Sequence, residues 1–380
     1  MKIMQLSKNI DPKKYLKELG VDGGGVSILA SKMDHHIISI CDLSVGAANI
    51  LKQDALSIGA DLAVPRGTVI AATPRVDCIL IATTRQLEVL SKKELAQPFE
   101  LNELAKKLKE LLSITKPKFT EIMGVINAND DSFYQGSRFK DTSAIDAINK
   151  MIEDGADIID IGGVSSKPNS FSISPSEELN RVKQIFDAIR EQKLYETVRF
   201  SCDSYEPKVI SYALESGFKI VNDITGLEND AVCKLCSEYE ATAVIMHMQG
   251  RPKTMQDAPS YENVVVEVYD FLQERALKAE SFGVKDIVLD VGIGFGKTLE
   301  HNLMLIKHLE NFLTLGYPLL VGASRKSMID KMYPSSANDR LSGTLTLHLE
   351  ALKNGASILR VHDVKEHKQA IEVYKALEKI

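Results

Sequence analysis

No run of about eighteen apolar residues, the least that spans a bilayer, occurs in the 380-residue sequence, so no transmembrane helix is expected. Lys2, Lys8, Lys13 and Lys14 interrupt any signal-peptide core, and a cytoplasmic protein is expected. Cysteine is sparse and odd in number, five in all, which excludes a disulfide framework. Cys233 and Cys236 have metal-ligand spacing but sit in a helical pattern without a second pair, and they are read as structural. Positive charge is not in excess: the net charge is −6 and the basic residues are spread out, leaving no footprint for nucleic acid. Low-complexity tracts are absent too, and 44% apolar with 26% charged residues describes a globular chain, too long for one ordinary domain.

Two phosphate-binding motifs fail by one residue in the most informative stretch, Val288–Asn302 (VLDVGIGFGKTLEHN). A Walker A loop needs glycine where Val291 stands, and a dinucleotide fingerprint needs Gly-x-Gly-x-x-Gly where the chain has Gly292, Gly294 and Gly296. What is present is an apolar strand ending on Asp290, a close-approach loop and the start of a helix. A carboxylate at the end of an apolar strand must be solvated, hydrogen-bonded or met by a ligand that donates to it, which makes Asp290 a candidate site residue.

The first 115 or so residues read as a small α/β domain of unassigned role. Val26–Ala30, Ile37–Cys41 and Val76–Ala82 are strand-like, and Ala47–Ile58, a segment ending near Ala96 and Leu101–Leu112 are helical. Asp34-His35-His36 is read as a turn between two strands, because the upstream acidic ligands of a metal phosphoesterase are missing. Lys116-Pro117-Lys118 marks the boundary between domains 1–115 and 116–380.

From there strand and helix alternate eight times in about 260 residues, the count and length of a (β/α)8 TIM barrel. The strand-like runs begin at Ile122, Ile158, Val198, Ile220, Ala243, Ile287, Leu319 and Ile358. They end on Asn127, Asp160, Asp203, Asn222, His247, Asp290, Arg325 with Lys326, and Arg360 with His362. In such barrels the strand C-termini form the active-site face, so these side chains are expected to converge. Asp203, Asn222, Asp290 and Lys326 suit a flat heterocycle with an amidine-like edge, since a carboxylate accepts two parallel N–H bonds from it. Arg360 and His362 as cationic donors, with the uncharged oxygen of Asn127, suit a diphosphate and its Mg²⁺.

The chain resembles the dihydropteroate synthases in eight segments taken in order. These are Met123–Arg138, Asp157–Asn169, Cys202–Ser204, Val221–Asp223, Met246–Gln256, Leu289–Asn302, Val321–Ser327 and Leu359–Asp363. The resemblance implies condensation of 6-hydroxymethyl-7,8-dihydropterin diphosphate with p-aminobenzoate, a sulfonamide target, and a homodimer. It also implies that Asp203, Asn222, Asp290 and Lys326 hold the pterin and that Asn127 touches the metal. Lys167, Arg360 and His362 would meet the diphosphate, and Ser166, Pro168, Phe295 and Ser327 would shape the aminobenzoate site. Asp203, Lys326, Arg360 and His362 would carry the chemistry. Departures fall at Asn129-Asp130-Asp131, at Val164 and Lys167, and at Val291 and Ile293, while the pterin pocket matches. Two rivals share this pattern: a pterin-dependent methyltransferase barrel, and a pterin-binding regulatory module without catalysis.

Overall fold

The computed structural model describes residues 1–7, 10–117, 120–128, 142–164, 173–251 and 254–378, and the chain divides into two compact units, Met1–Thr115 and Lys116–Ile380.

The first unit contains helices α1 (Pro12–Glu18), α2 (Gly23–Met33), α3 (Val45–Ser57), α4 (Thr84–Lys93) and α5 (Leu101–Ser113). Its antiparallel sheet has the order β1-β3-β2, from strands β1 (His35–Ser44), β2 (Asp61–Ala63) and β3 (Arg75–Thr83). Strict alternation fixes β3: Val76, Cys78, Leu80 and Ala82 are buried while Arg75, Asp77, Ile79 and Ile81 are exposed. Ala47, Leu51 and Ala55 of α3 and Leu87 and Leu90 of α4 join those strand residues in one core. Thr83 and Gln86 close a reciprocal capping box at the start of α4. The strand expected at Val26–Ala30 is instead the middle of α2. Only Val26 and Ala30, four apart, are buried, which is a helical period, and Asp22 caps the helix by accepting from the Gly24 N–H. Asp34 therefore sits at a helix-to-strand junction and not in a turn between strands.

The second unit is a closed parallel barrel in the order β10-β11-β4-β5-β6-β7-β8-β9. Its strands are β4 (Glu121–Asn127), β5 (Ile158–Gly162), β6 (Arg199–Asp203), β7 (Ile220–Asp223), β8 (Thr242–Met246), β9 (Ile287–Asp290), β10 (Leu319–Val321) and β11 (Ile358–Val361). Helices α6 (Thr142–Glu153), α7 (Pro175–Glu191), α8 (Pro207–Glu215), α9 (Asp230–Glu238), α10 (Val264–Ser281) and α11 (Leu299–Lys307) alternate with them. A short α12 (Ser327–Met332), then α13 (Leu341–Lys353) and α14 (Val364–Glu378), complete the ring. Pro175 and Pro207 open α7 and α8, where a missing N–H costs nothing. Cys233 and Cys236 are buried in α9, and all five cysteines are free. Among the described residues no helix is long and apolar enough to cross a membrane.

What positions the site is a step of two residues. Met123, Ile158, Ile220, Val244, Val288, Leu320 and Ile358 form one apolar cluster inside the barrel. Side chains alternate along a strand, so the residue two further on faces the same way, about 6.6 Å nearer the C-terminal end. Asp160, Asn222, Asp290 and Arg360 each follow a member of that cluster by two residues. The polar layer is thus stacked directly on an apolar one.

Candidate active site

Asp160 is the hub of this layer. Its Oδ2 accepts from Asn222 Nδ2 at 3.0 Å and from Arg360 Nε at 2.6 Å, and Arg360 Nη2 donates to Asp203 Oδ2 at 2.6 Å. One guanidinium therefore links the ends of β5 and β6 from the far side of the barrel closure. Asp160 is fully buried, and its Oδ1 has no partner among the described residues. Burial lifts the Asp203 carboxyl to about 7; Asp160 and Glu178 add to the rise and the Arg360 charge opposes it.

Asp290 closes the opposite side. Its Oδ1 accepts from the Gly292 N–H at 2.7 Å; burial raises its pKa while Lys326, that N–H, Lys297 and Arg360 pull it back. Lys326 donates from Nζ to the Ile293 carbonyl and lies 4.6 Å from the centre of the Phe295 ring, within cation–π reach. Burial brings the Lys326 ammonium down to about 8, against the pull of Asp290.

The alternating glycines answer to packing on a neighbouring backbone. A Cβ at Gly292 would stand 1.9 Å from the His247 carbonyl oxygen, and one at Gly296 would stand 2.4 Å from that of Gln249. Both have positive φ, +68° and +62°. The loop's carbonyls are also occupied, Gly294 by Gln256 Nε2 at 2.6 Å and Gly296 by the Tyr261 hydroxyl at 2.7 Å. Gly292→Ala should lower stability by about 2–3 kcal/mol through strain and overpacking. A thermal melt within 1 °C of wild type would show that the loop is not held this tightly.

One expectation about the cations is corrected. His362 is not a cationic donor: burial and the adjacent Arg360 charge push its pKa down to about 4, so the ring is neutral near pH 7, with Nδ1 2.9 Å from Ser324 Oγ. Arg360 is committed to two carboxylates. Arg325 turns away from the polar layer, pairing with Asp363 at 2.6 Å and donating to the Ala337 and Asn338 carbonyls. Asn127 ends β4 half-buried, and Ser327 opens α12 exposed beside Lys326. Ser166, Lys167, Pro168 and the Asn129-Asp130-Asp131 departure lie outside the described residues.

Residues 123–362 match the family described as pterin binding enzyme. Across 374 residues the chain is 42% identical to a bifunctional dihydropteroate synthase/dihydropteroate reductase of Helicobacter pylori, covering 98% of each chain. It is 40% identical to the dihydropteroate synthase of Haemophilus influenzae over 263 residues, 67% of this chain and 93% of that one.

The chain belongs to the dihydropteroate synthases.

The Yersinia pestis dihydropteroate synthase, solved with a sulfonamide drug complex, superposes with a TM-score of 0.66 at 32% identity, covering 70% of this chain and 99% of that one. The synthase condenses 6-hydroxymethyl-7,8-dihydropterin diphosphate with p-aminobenzoate to 7,8-dihydropteroate and diphosphate. Its barrel brings Asp203, Asn222, Asp290 and Arg360 to one end, where Lys326 lies over the Phe295 ring. Sequence reasoning placed Asp160 among the strand ends but gave it no part in the site; its in-phase position two residues after Ile158 was the available signal. Lys297 was passed over as part of a glycine motif, although a lysine between a packed loop and a helix start is unusual enough to ask where its charge goes.

Proposed function

We propose that Asp290, Asn222 and Lys326 hold the pterin ring while Arg360, His362 and Asn127 receive the diphosphate and its metal. The observation that supports this most is the Asn222–Asp160–Arg360–Asp203 chain, which places a cation and a neutral amide on one carboxylate, between a ring-binding and an anion-binding half. Nη1 is the Arg360 nitrogen that the two carboxylates do not engage, and it is the one offered to an incoming anion. His362, being neutral, contributes an N–H and no charge.

The residues fit a metal that arrives with the diphosphate. Asn127 offers one uncharged oxygen, and among the described residues no group of three or more His, Cys, Asp or Glu could hold an ion alone. When bound, Mg²⁺ supplies charge that draws electrons onto the diphosphate oxygens. Chelation should cut turnover at least a hundredfold, with recovery on adding Mg²⁺; full turnover in excess chelator would contradict this.

The C–O bond to the pterin methylene breaks, the electron pair leaves with diphosphate, and the cation left on the ring is stabilised by ionised Asp203. The arylamine nitrogen then attacks the methylene, and the proton it sheds passes to solvent or diphosphate. Because loss precedes attack, ¹⁸O in the C–O–P bridge should scramble into the terminal oxygens without p-aminobenzoate. No scrambling under saturating pterin diphosphate would favour a single displacement.

A second activity rests on coverage. A relative matched over 98% of the chain is named as a reductase as well, another matched over 96% is named a folylpolyglutamate synthase/dihydropteroate synthase, and the synthase of Haemophilus influenzae covers 67% of the chain. We infer that the chain also reduces 7,8-dihydropteroate, adding hydride and a proton across the C6=N5 bond from a reduced hydride donor. The full chain should restore thymidine-independent growth to a bacterial host lacking its dihydrofolate-reducing enzyme. No restoration, with synthase activity present in the same cells, would limit the chain to condensation.

A further inference from the structure

Lys297 is only 2% exposed, and burial brings its ammonium down to about 7 against the pull of Asp290. Its Nζ lies 2.9 Å from His247 Nδ1, 3.3 Å from the His247 carbonyl oxygen and 3.0 Å from the Phe295 carbonyl oxygen. Three N–H donors meet three acceptors, which is what an ammonium out of reach of water requires. Burial and the Lys297 charge push the His247 pKa down to about 2, so the ring stays neutral and offers Nδ1 as an acceptor, its proton on Nε2. Tyr261 and Phe271 hold that ring, with centroids at 6.1 and 4.9 Å.

Phe295 thereby sits between two lysines. Lys297 takes its carbonyl, and Lys326 lies over its ring. No other side chain described here ties the end of β8 to this carbonyl, because the Gly294 and Gly296 carbonyls are held by residues of the loop after β8 and not by the strand end. We propose that Lys297 is a positioning residue of the synthase, fixing the Phe295 wall of the p-aminobenzoate site to the end of β8. This rests on the assignment of Phe295 to that site. Without the ammonium, two backbone carbonyls and a ring nitrogen lose their donor in a dry place, and the loop must shift to find water or another partner.

The test compares Lys297→Met, which keeps the stem and removes every donor, with Lys297→Gln, which keeps an amide, in the full chain. KM for p-aminobenzoate should rise tenfold or more in Lys297→Met, at least threefold more than KM for the pterin diphosphate, with a smaller rise in Lys297→Gln. Phe295→Leu should raise the aminobenzoate KM in the wild-type background but add less than threefold on top of Lys297→Met, because the wall is already displaced. An unchanged aminobenzoate KM in either folded variant, or effects that multiply in the double variant, would overturn the proposal. Failure of both single variants to fold would also overturn it, making Lys297 a structural residue. If Phe295→Leu alone leaves the aminobenzoate KM unchanged while wild type turns over normally, the assignment of Phe295 is what fails.

Discussion

Asp290→Asn should lower affinity for the pterin diphosphate by roughly 30-fold or more, about 2–5 kcal/mol, while leaving the fold intact. One carboxylate oxygen is already fixed by the Gly292 N–H at 2.7 Å, which sets the plane of the group. An asparagine that keeps this bond must turn its NH₂ towards the ligand, where the pterin edge also presents donors. Two donors then face each other in a buried site, and neither finds an acceptor. Folding should suffer little, because burial already works against the charged form of Asp290 and a neutral amide of the same shape removes that cost. Calorimetry on the purified variant decides the matter: binding within threefold of wild type would mean that Asp290 is not the anchor.

Arg360→Met should cost stability as well as turnover. It removes the cation between Asp160 and Asp203 and leaves two neighbouring carboxylates without their shared partner, typically about 3–5 kcal/mol. For a barrel unit spanning Lys116–Ile380 that is a fall in Tm of about 5–9 °C at pH 8. The deficit depends on pH. Without the guanidinium the folded-state pKa of Asp203 rises further above the unfolded value of about 3.9, so the native variant binds more protons there than the unfolded chain. Stability is then fully present at low pH and is lost as pH rises through the raised Asp203 value, towards and beyond the 7 or so at which it already titrates. Melting curves should show the gap to wild type shrinking between pH 8 and pH 5.5. An equal deficit at both pH values would assign it to lost packing of the side chain.

Much of the barrel was legible because its strands are short apolar runs that stop on polar residues at matching phase. The pleat makes that phase a spatial statement: two residues beyond Ile158, Ile220, Val288 and Ile358 stand Asp160, Asn222, Asp290 and Arg360. What the sequence could not show was which of them bond to one another. Arg360 and Asp160 are 200 residues apart and meet only because β11 pairs with β4 and β4 with β5. The charge of His362 was misjudged for a related reason, since the neighbours that neutralise it come from packing and not from sequence. In the first unit the Val26–Ala30 run was short enough to fit strand or helix, and the capping Asp22 with three following glycines gave an ambiguous start. The glycine repeat was recognised as a close approach, but the object approached is the His247 and Gln249 backbone.

The most direct test is to incubate the purified full chain with the pterin diphosphate, p-aminobenzoate and Mg²⁺ and to measure diphosphate and 7,8-dihydropteroate in the same samples. Equal amounts of both products when both substrates are present, lost in Arg360→Met and Asp290→Asn, are the expected result. Diphosphate formed without an equal amount of 7,8-dihydropteroate when both substrates are present, or no product from a folded wild-type protein that binds the pterin, would contradict it.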